Sequence, residues 1–214
     1  MDLIDISQPL GTRTAGWPGD RAFSLDWSLR RDRGDSVDAA AVAMSVHTGT
    51  HADGPAHTGR GPAVGELGLG PFIGPAIVVD GRPAVAGDPQ EVAASVLEGV
   101  DTAASPRVLI RTRDRVDPER FPERFAALSE ALCLALVDRG AVLVGTDAPS
   151  VDPVDSTELA AHRTLAMGGV VNLENLVLDD VAPGRYTLVA LPLRLTEADS
   201  SPVRAVLVKG GLGP

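Results

Sequence analysis

The eleven residues 47–57, HTGTHADGPAH, hold three of the four histidines of this 214-residue chain together with one aspartate. Imidazole and carboxylate groups bind zinc-like cations at roughly 2.0 to 2.2 Å, so the ligands of one ion must converge. The intervening Thr-Gly-Thr is a poor helical interior, and a straight strand would hold His47 and His51 about 13 Å apart. The stretch therefore predicts a loop bent at Gly49, and the fold must be one that supports such a loop.

A second turn follows directly. Gly54 and Pro55 are turn-forming residues, so His57 can return towards the same point from the far side of the turn. The alternative interpretation is a surface loop that happens to contain histidines, or a histidine-rich tract that picks up metal adventitiously. Three of four histidines within eleven residues favour a built site.

Two further residues are candidates for the same site. The fourth histidine, His162, lies in a predicted helix, and Glu174 lies in a short apolar stretch where an acid is out of place. Taken singly, His162 is equally well an ordinary helix residue and Glu174 a charge at a strand end. Together with the loop they would complete a two-metal site, with Asp53 as the simplest bridging carboxylate.

Trp17 is a candidate for substrate binding. The chain has only seven aromatic residues, and the face of Trp17 could lie against a substrate ring. The alternative is a turn residue folded onto the body of the protein. Asp147 and Ser150 follow a predicted buried strand, but turn chemistry explains them equally well, so they are left out of the predicted site.

The composition is that of an ordinary globular chain, with 44% hydrophobic and 22% charged residues. The length predicts a single domain over residues 1–214. A net charge of −10 argues against a nucleic-acid partner, because such binding depends on Lys and Arg at phosphates. No apolar run approaches the roughly 18 residues of a membrane span and no signal-peptide pattern is seen, so we expect a cytoplasmic protein with no membrane partner.

The lone cysteine, Cys133, excludes an internal disulfide and a cysteine-rich zinc site. Its apolar neighbours predict a packed residue rather than a nucleophile.

Short β-branched runs alternate with helical patterns, which predicts an α/β domain. The helices are expected over residues 89–97, 122–139 and 156–165. The clearest strands are expected over residues 76–79, 108–111, 141–144, 186–191 and 204–208. A regular doubly wound sheet is not expected, because the first 75 residues contain no good helix and the last 30 read as two adjacent strands.

Residues 47–57 match the signature H-x-G-T-H-x-D-x-P-x-H, and the chain resembles the metal-dependent cyclase-like hydrolases. Within that family it resembles most the bacterial members that hydrolyse an aryl formamide. The similarity covers nearly the whole chain and includes residues 17–20, 145–153, 173–176, 190–193 and 198–204. The sequence departs from the family at Gly54, where alanine is usual, at Thr58, where an aromatic is common, and at Thr157, where lysine is common. These changes concern the shape of the pocket rather than the metal site.

The resemblance implies a swivelling β/β/α domain, with a mixed sheet and flanking helices, and a homodimer. It implies two zinc ions per subunit, with manganese as the alternative metal. The implied roles are His47, His51 and Asp53 at one ion, Asp53, His162 and Glu174 at the second, His57 as acid/base, and Trp17 in the substrate pocket. The implied reaction is hydrolysis of a small molecule, N-formyl-L-kynurenine, to L-kynurenine and formate in tryptophan degradation. Imidazole suits the acid/base role because its unperturbed pKa is about 6.5.

Three other functions remain open at this point. A related hydrolase of the same fold could open a cyclic amide such as isatin, and the metal residues do not separate the two. A non-catalytic metal-binding protein would bind metal without turnover. A serine hydrolase would need a G-x-S-x-G motif, which the sequence lacks.

Overall fold

A mixed sheet of nine strands organises the protein, whose computed structural model describes residues 2–59 and 61–210. The strands in this part of the chain are β1 (Asp2–Asp5), β2 (Ser24–Leu29), β3 (Ala39–Ala43), β4 (His51–Asp53), β5 (Ile73–Asp80), β6 (Val85–Ala86), β7 (Glu91–Val92), β8 (Arg107–Arg111), β9 (Ala127–Leu128), β10 (Leu143–Thr146), β11 (Val171–Glu174), β12 (Gly184–Val189), β13 (Ser200–Pro202) and β14 (Val206–Lys209). The α-helices are α1 (Glu130–Asp138) and α2 (Ala160–Met167). Short 3-10 turns cover Arg31–Arg33, Pro55–Thr58, Val64–Glu66, Gly70–Phe72, Arg82–Ala84 and Ala94–Leu97.

The strand order of the large sheet is β1-β14-β12-β5-β8-β10-β11-β4-β13. The central strands β5, β8, β10 and β11 run parallel, and the strands on both sides of them are antiparallel. Parallel strands are usually covered on both faces, which explains why β10 is buried at every position. The predicted α/β class, with a mixed sheet and flanking helices, is confirmed.

Two buried clusters cover the two faces of this sheet. Adjacent strand residues point to opposite faces, so Val78 belongs to one cluster and Val79 to the other. Helices α1 and α2 pack on the second face through residues such as Leu132 and Leu165. Cys133 is fully buried in the same cluster, and its predicted role as a packed apolar residue is confirmed.

The sheet curls so that its first strand approaches the segment that follows β11. Ser7 forms a bridge with Leu176, and the nitrogen of Val177 donates to the carbonyl oxygen of Ile6 at 2.9 Å. This curl encloses the cluster that contains Val78. The same cluster includes Ala52 from β4 and residues of β12 and β14. It also brings strand ends from distant parts of the chain to one place.

Two of the predicted helices begin later than expected. Helix α1 starts after Ser129, whose hydroxyl accepts a hydrogen bond from the nitrogen of Leu132 at 3.2 Å. The residues before it include β9, which pairs with β7, and Gly140 follows the end of the helix with a φ of +71°. Helix α2 begins at Ala160 rather than at residue 156.

The predicted helix at residues 89–97 is wrong. The chain there forms β7 and then the 3-10 turn Ala94–Leu97. Pairing with β6 and β9 satisfies the backbone of this segment, so a tertiary contact outweighs the local helical pattern. The five predicted strands all overlap strands of the large sheet.

Strands β2 and β3 form a separate hairpin that pairs with no other strand among the described residues. Leu25, Trp27 and Val42 share one face of this hairpin by their register and are 39%, 41% and 54% exposed. In residues 2–59 and 61–210, no helix is both long and apolar enough to cross a membrane.

Candidate functional site

The loop before β4 carries the first pair of histidines. Gly49 lies at its bend with a φ of +67°, and a Cβ at this position would lie 2.6 Å from the side chain of Leu10. Only glycine adopts such a backbone without strain. The bend folds His47 back over His51, with ring centroids 4.9 Å apart, and Asp53 ends the strand. The predicted loop bent at Gly49 is confirmed.

A tight turn after β4 returns His57 to the same place. Gly54 packs against the backbone of Val64, because a Cβ on Gly54 would lie 2.8 Å from the Val64 nitrogen. The 3-10 turn Pro55–Thr58 then carries His57, whose ring centroid lies 4.5 Å from that of His47. The glycine at position 54 thus allows close packing of this turn.

Helix α2 and strand β11 supply the other side of the site. The carboxylate of Asp152 accepts hydrogen bonds from the backbone nitrogens of Ala161 and His162 at 2.9 and 3.0 Å, which caps the start of α2. It also accepts from Nδ1 of His162 at 2.6 Å, so Nε2 of that ring is the nitrogen left free. Glu174, the last residue of β11, reaches the same point from the sheet.

The five predicted metal ligands lie close together, with nitrogen-to-oxygen distances of 3.2 to 3.5 Å between neighbouring side chains. Nδ1 of His47 and Nε2 of His51 lie 3.2 and 3.5 Å from Oδ1 of Asp53. Nε2 of His162 lies 3.4 Å from Oδ2 of Asp53 and 3.2 Å from Oε1 of Glu174. Asp53 therefore meets two histidines through one oxygen and the third histidine through the other.

Three buried atoms of this cluster have no hydrogen-bond partner among the described residues: Nε2 of His51, Oδ1 of Asp53 and Nε2 of His162. Buried polar atoms in folded proteins are nearly always paired, so three unpaired atoms in one place need an explanation. Nitrogen and carboxylate lone pairs directed at a common point are the donor set that zinc and similar cations bind. The residues present therefore fit a metal ion.

The carboxylates of the cluster favour a bound cation, and in the metal-free protein they also favour protonation of the histidines. Burial alone would lower the pKa of His47, but the carboxylates of Asp53 and Asp199 outweigh burial and raise it to about 9. Burial opposes protonation of His51 as well, and Asp53 and Glu174 again raise its pKa. A metal ion at this site must displace such protons.

Asp199 connects two of the histidines through one oxygen. Its Oδ2 lies 2.9 Å from Nε2 of His47 and 2.9 Å from Nδ1 of His57. Burial would raise the pKa of Asp199, but the hydrogen bonds from His57 and His47 hold it below its ordinary value. Asp199 is therefore an ionised acceptor between the two rings.

A cavity of about 580 Å³ lies above the cluster, within the size range of small-molecule sites. Trp17 lines it and packs edge-on against Phe121, with ring centroids 5.2 Å apart. Arg113 and Asp117 also line the cavity and add one charge of each sign. The predicted substrate residue Trp17 thus shares a cavity with the histidines, although it also makes a packing contact.

Asp147 and Ser150 have different surroundings in the structure. Asp147 is fully buried and accepts hydrogen bonds from the nitrogen and hydroxyl of Thr112, at 2.8 and 2.6 Å, and from the nitrogen of Arg113. It is a structural residue of the turn. Ser150 lines the cavity.

Three polar residues of the site were missed by the sequence analysis: Asp152, Asn172 and Asp199. Asn172 donates to Oδ2 of Asp53 at 2.7 Å and lies two residues before Glu174 on β11. Asp199 is 152 residues from His47 in the chain, so only the pairing of distant strands brings them together. An acid in the segment 198–204 was visible in the sequence, but its partners were not.

Comparison with known proteins gives consistent results. Residues 4–153 match the profile of the family Cyclase, described as "Putative cyclase". The chain is 46% identical to a protein of Salinibacter ruber named kynurenine formamidase, over 97% of each chain. It superposes on a predicted metal-dependent hydrolase from Bacillus stearothermophilus with a TM-score of 0.81 and 27% identity, covering 96% of this chain and 97% of that one. Isatin hydrolase A from Labrenzia aggregata shares the fold, with a TM-score of 0.80 and 22% identity over 97% and 93% of the two chains.

Proposed function

This chain belongs to the Cyclase family, and we propose that it is a metal-dependent amidohydrolase that converts N-formyl-L-kynurenine to L-kynurenine and formate. The observation that carries the proposal is the convergence of five metal-ligating side chains beside a 580 Å³ cavity. The unpaired buried nitrogens of His51 and His162 and the unpaired oxygen of Asp53 are a donor set for a metal rather than part of a structural hydrogen-bond network.

We assign the metal ligands as in the sequence analysis, because Oδ1 of Asp53 meets His47 and His51 and Oδ2 meets His162. His51 also lies 3.2 Å from Oε2 of Glu174, so Glu174 stands beside both groups. One zinc would be held by His47, His51 and Asp53, and a second by Asp53, His162 and Glu174, with manganese as the alternative metal. When bound, such cations make water nucleophilic at neutral pH and polarise a carbonyl group. Asn172, which donates to Asp53, restrains the orientation of the shared carboxylate.

His57 has the position of a proton carrier. Its Nδ1 donates to Asp199, which leaves Nε2 able to take a proton from the attacking water and pass it to the departing aryl nitrogen. In the balanced reaction the water oxygen forms the new bond to the formyl carbon and the C–N bond breaks. One water proton ends on the amine, and the other is released as formate forms.

The cavity suits an aromatic amino acid. Trp17 and Phe121 offer ring edges and faces to an aryl group, and Arg113 and Asp117 carry charges opposite to those of an α-carboxylate and an α-ammonium group. These features support an aromatic amino acid as the substrate class.

The alternative substrate is a cyclic amide such as isatin. The relative named kynurenine formamidase is about twice as similar in sequence as the isatin hydrolase, whose likeness concerns the fold alone. A non-catalytic metal protein is disfavoured by His57, which faces the cavity beside the cluster and would be unnecessary for a purely structural metal.

We also propose that the protein is a cytoplasmic homodimer built from one domain per chain. The exposed apolar face of the β2–β3 hairpin supports the dimer, because an isolated two-stranded hairpin is marginally stable and Leu25, Trp27 and Val42 lie exposed on one face of this one. A second copy of the chain is the partner that we assign to this face.

The test is hydrolysis of N-formyl-L-kynurenine by the purified protein, followed as kynurenine absorbance. The assay is repeated after chelation and after zinc or manganese is restored. Turnover that disappears with the chelator and returns with metal supports the proposal. If the protein hydrolysed isatin but not N-formyl-L-kynurenine, isatin would become the assigned substrate. Tight metal binding without turnover of either compound would refute the proposal that the protein is an amidohydrolase.

A further inference from the structure

The acidic side chain of Asp199 lies between a proposed metal ligand and the proposed acid/base. Its Oδ2 is 2.9 Å from Nε2 of His47 and 2.9 Å from Nδ1 of His57, and the two imidazole centroids are 4.5 Å apart. A carboxylate only accepts hydrogen bonds, so each of these ring nitrogens carries the proton. Two histidines are therefore oriented by one oxygen atom.

These hydrogen bonds decide which nitrogen of each ring is free. In the neutral ring of His47 the free atom is Nδ1, which lies 3.2 Å from Oδ1 of Asp53 and so faces the cluster. In His57 the free atom is Nε2. A neutral imidazole protonated on the other nitrogen could neither bind a cation at Asp53 nor accept a proton from water on the cavity side.

The backbone around Asp199 is held firmly in place. Strand β13 begins at the next residue and pairs with β4, with Ser200 opposite Asp53. The carbonyl oxygen of Asp199 accepts a hydrogen bond from the nitrogen of Gly54 at 2.7 Å, and the hydroxyl of Ser200 donates to the carbonyl oxygen of Ala52 at 2.9 Å. The carboxylate is thus tied to the same strand that carries the proposed ligands.

We propose that Asp199 is a positioning residue that fixes the tautomers of His47 and His57, so that His47 presents Nδ1 to the metal and His57 presents Nε2 to the substrate. This inference rests on the proposed function, because the value of the free Nε2 depends on a proton transfer. Since the side chain of Asp199 is 41% exposed, solvent can replace part of its effect.

The first test compares Asp199→Ala with Glu197→Ala, which removes an exposed acid from the same segment. With metal content measured and metal saturating, we expect Asp199→Ala to lower kcat about 10- to 100-fold with KM little changed, as for other partners of metal-site histidines. Glu197→Ala should keep wild-type kcat. In the background of His57→Ala, Asp199→Ala should add little further loss, because groups that act as a unit are not additive.

The second test reads the tautomers directly. The chain has four histidines, so ring nitrogen NMR spectra of the zinc-loaded and chelated protein can be assigned by single histidine substitutions. We expect the Nδ1-protonated form of His57 in the wild type and in Glu197→Ala, and a shift towards the Nε2-protonated form in Asp199→Ala. This readout does not depend on turnover.

The outcomes separate the two proposals. Unchanged ring spectra would overturn the positioning role, and a loss of kcat that adds fully to that of His57→Ala would overturn the part of it that acts through His57. Failure of Asp199→Ala to hold metal even at saturation would make Asp199 a ligand instead. A wild type without turnover but with the expected tautomers would refute the proposed reaction and leave the positioning role intact.

Discussion

At the residue scale, the four histidines are oriented by three acceptors. The carbonyl oxygen of Gly49 accepts from Nδ1 of His51 at 2.8 Å, Asp152 accepts from His162, and Asp199 accepts from both other rings. Each contact leaves one defined ring nitrogen free. The chemistry of the site thus depends on residues that need not touch metal or substrate.

The division of roles between ligands and acid/base can be tested by His57→Ala. We expect turnover to fall by about 10² to 10⁴, the usual contribution of a positioned acid/base group, while bound metal stays at the wild-type level. Metal content by elemental analysis and kcat on N-formyl-L-kynurenine are the measurements.

The matched variant is Asp53→Ala, which we expect to lose both ions together because Asp53 meets both groups of histidines. A ring nitrogen of His57 lies within 4.8 Å of Asp53 and His162 ligand atoms, so a ligand role is the competing assignment. An empty site in His57→Ala would establish that assignment.

The metal-free protein should lose stability as pH rises from about 6.5 to about 9. The pKa of His47 is raised to about 9 in the folded state, against an ordinary value near 6.5. A group with a raised folded pKa contributes stability that is complete below the unfolded pKa and is lost as pH rises through the folded one. Urea unfolding of the chelated protein across this range measures the effect.

His47→Gln is the control, since it removes the His47 titration and should make the pH dependence over that interval shallower. An equally steep decline in His47→Gln would show that other groups cause it. Metal binding should strengthen over the same interval, because fewer protons then compete for the ligands.

At the element scale, the turn Val64–Glu66 secures the segment that leads to Asp199. The nitrogen of Val64 donates to the carbonyl oxygen of Ala198, and the nitrogen of Gly65 donates to that of Leu195. Gly65 lies so close to this segment that a Cβ there would be 2.5 Å from the backbone of Leu195. The contact is with backbone atoms, so no side chain could move aside to make room for a Cβ at position 65.

Gly65→Ala should therefore displace the segment and lower the free energy of unfolding by about 1 to 3 kcal/mol, with a loss of kcat. Gly68→Ala is the control, because a Cβ on Gly68 meets nothing within 4 Å. It should change stability by no more than about 0.5 kcal/mol. Equal urea midpoints for the two variants would contradict the close packing.

At the scale of the whole molecule, the proposed dimer depends on one face of the β2–β3 hairpin. Val42 and Ala41 are adjacent exposed residues whose side chains point to opposite faces. We expect Val42→Glu to give monomers and Ala41→Glu to leave dimers, as measured by light scattering after size exclusion. Dimers that persist in Val42→Glu would place the interface elsewhere.

The sequence by itself determined the local part of the site. Gly49, Gly54 and Pro55 predict the turns that gather His47, His51 and His57, because turn chemistry acts over a few residues. The α/β class and five strands followed from short β-branched runs. The helix that the sequence predicts over residues 89–97 does not form, because β7 in this segment pairs with β6 and β9.

Only the tertiary structure decided how the distant parts meet. The sheet order sets β4 between β11 and β13, which brings Glu174 and Asp199 to either side of Asp53. The partners of each histidine, Asp152 for His162 and Asp199 for His47 and His57, lie 10 to 152 residues away. No local pattern encodes such pairs, because they arise from strand register and from the cost of leaving buried polar atoms unpaired.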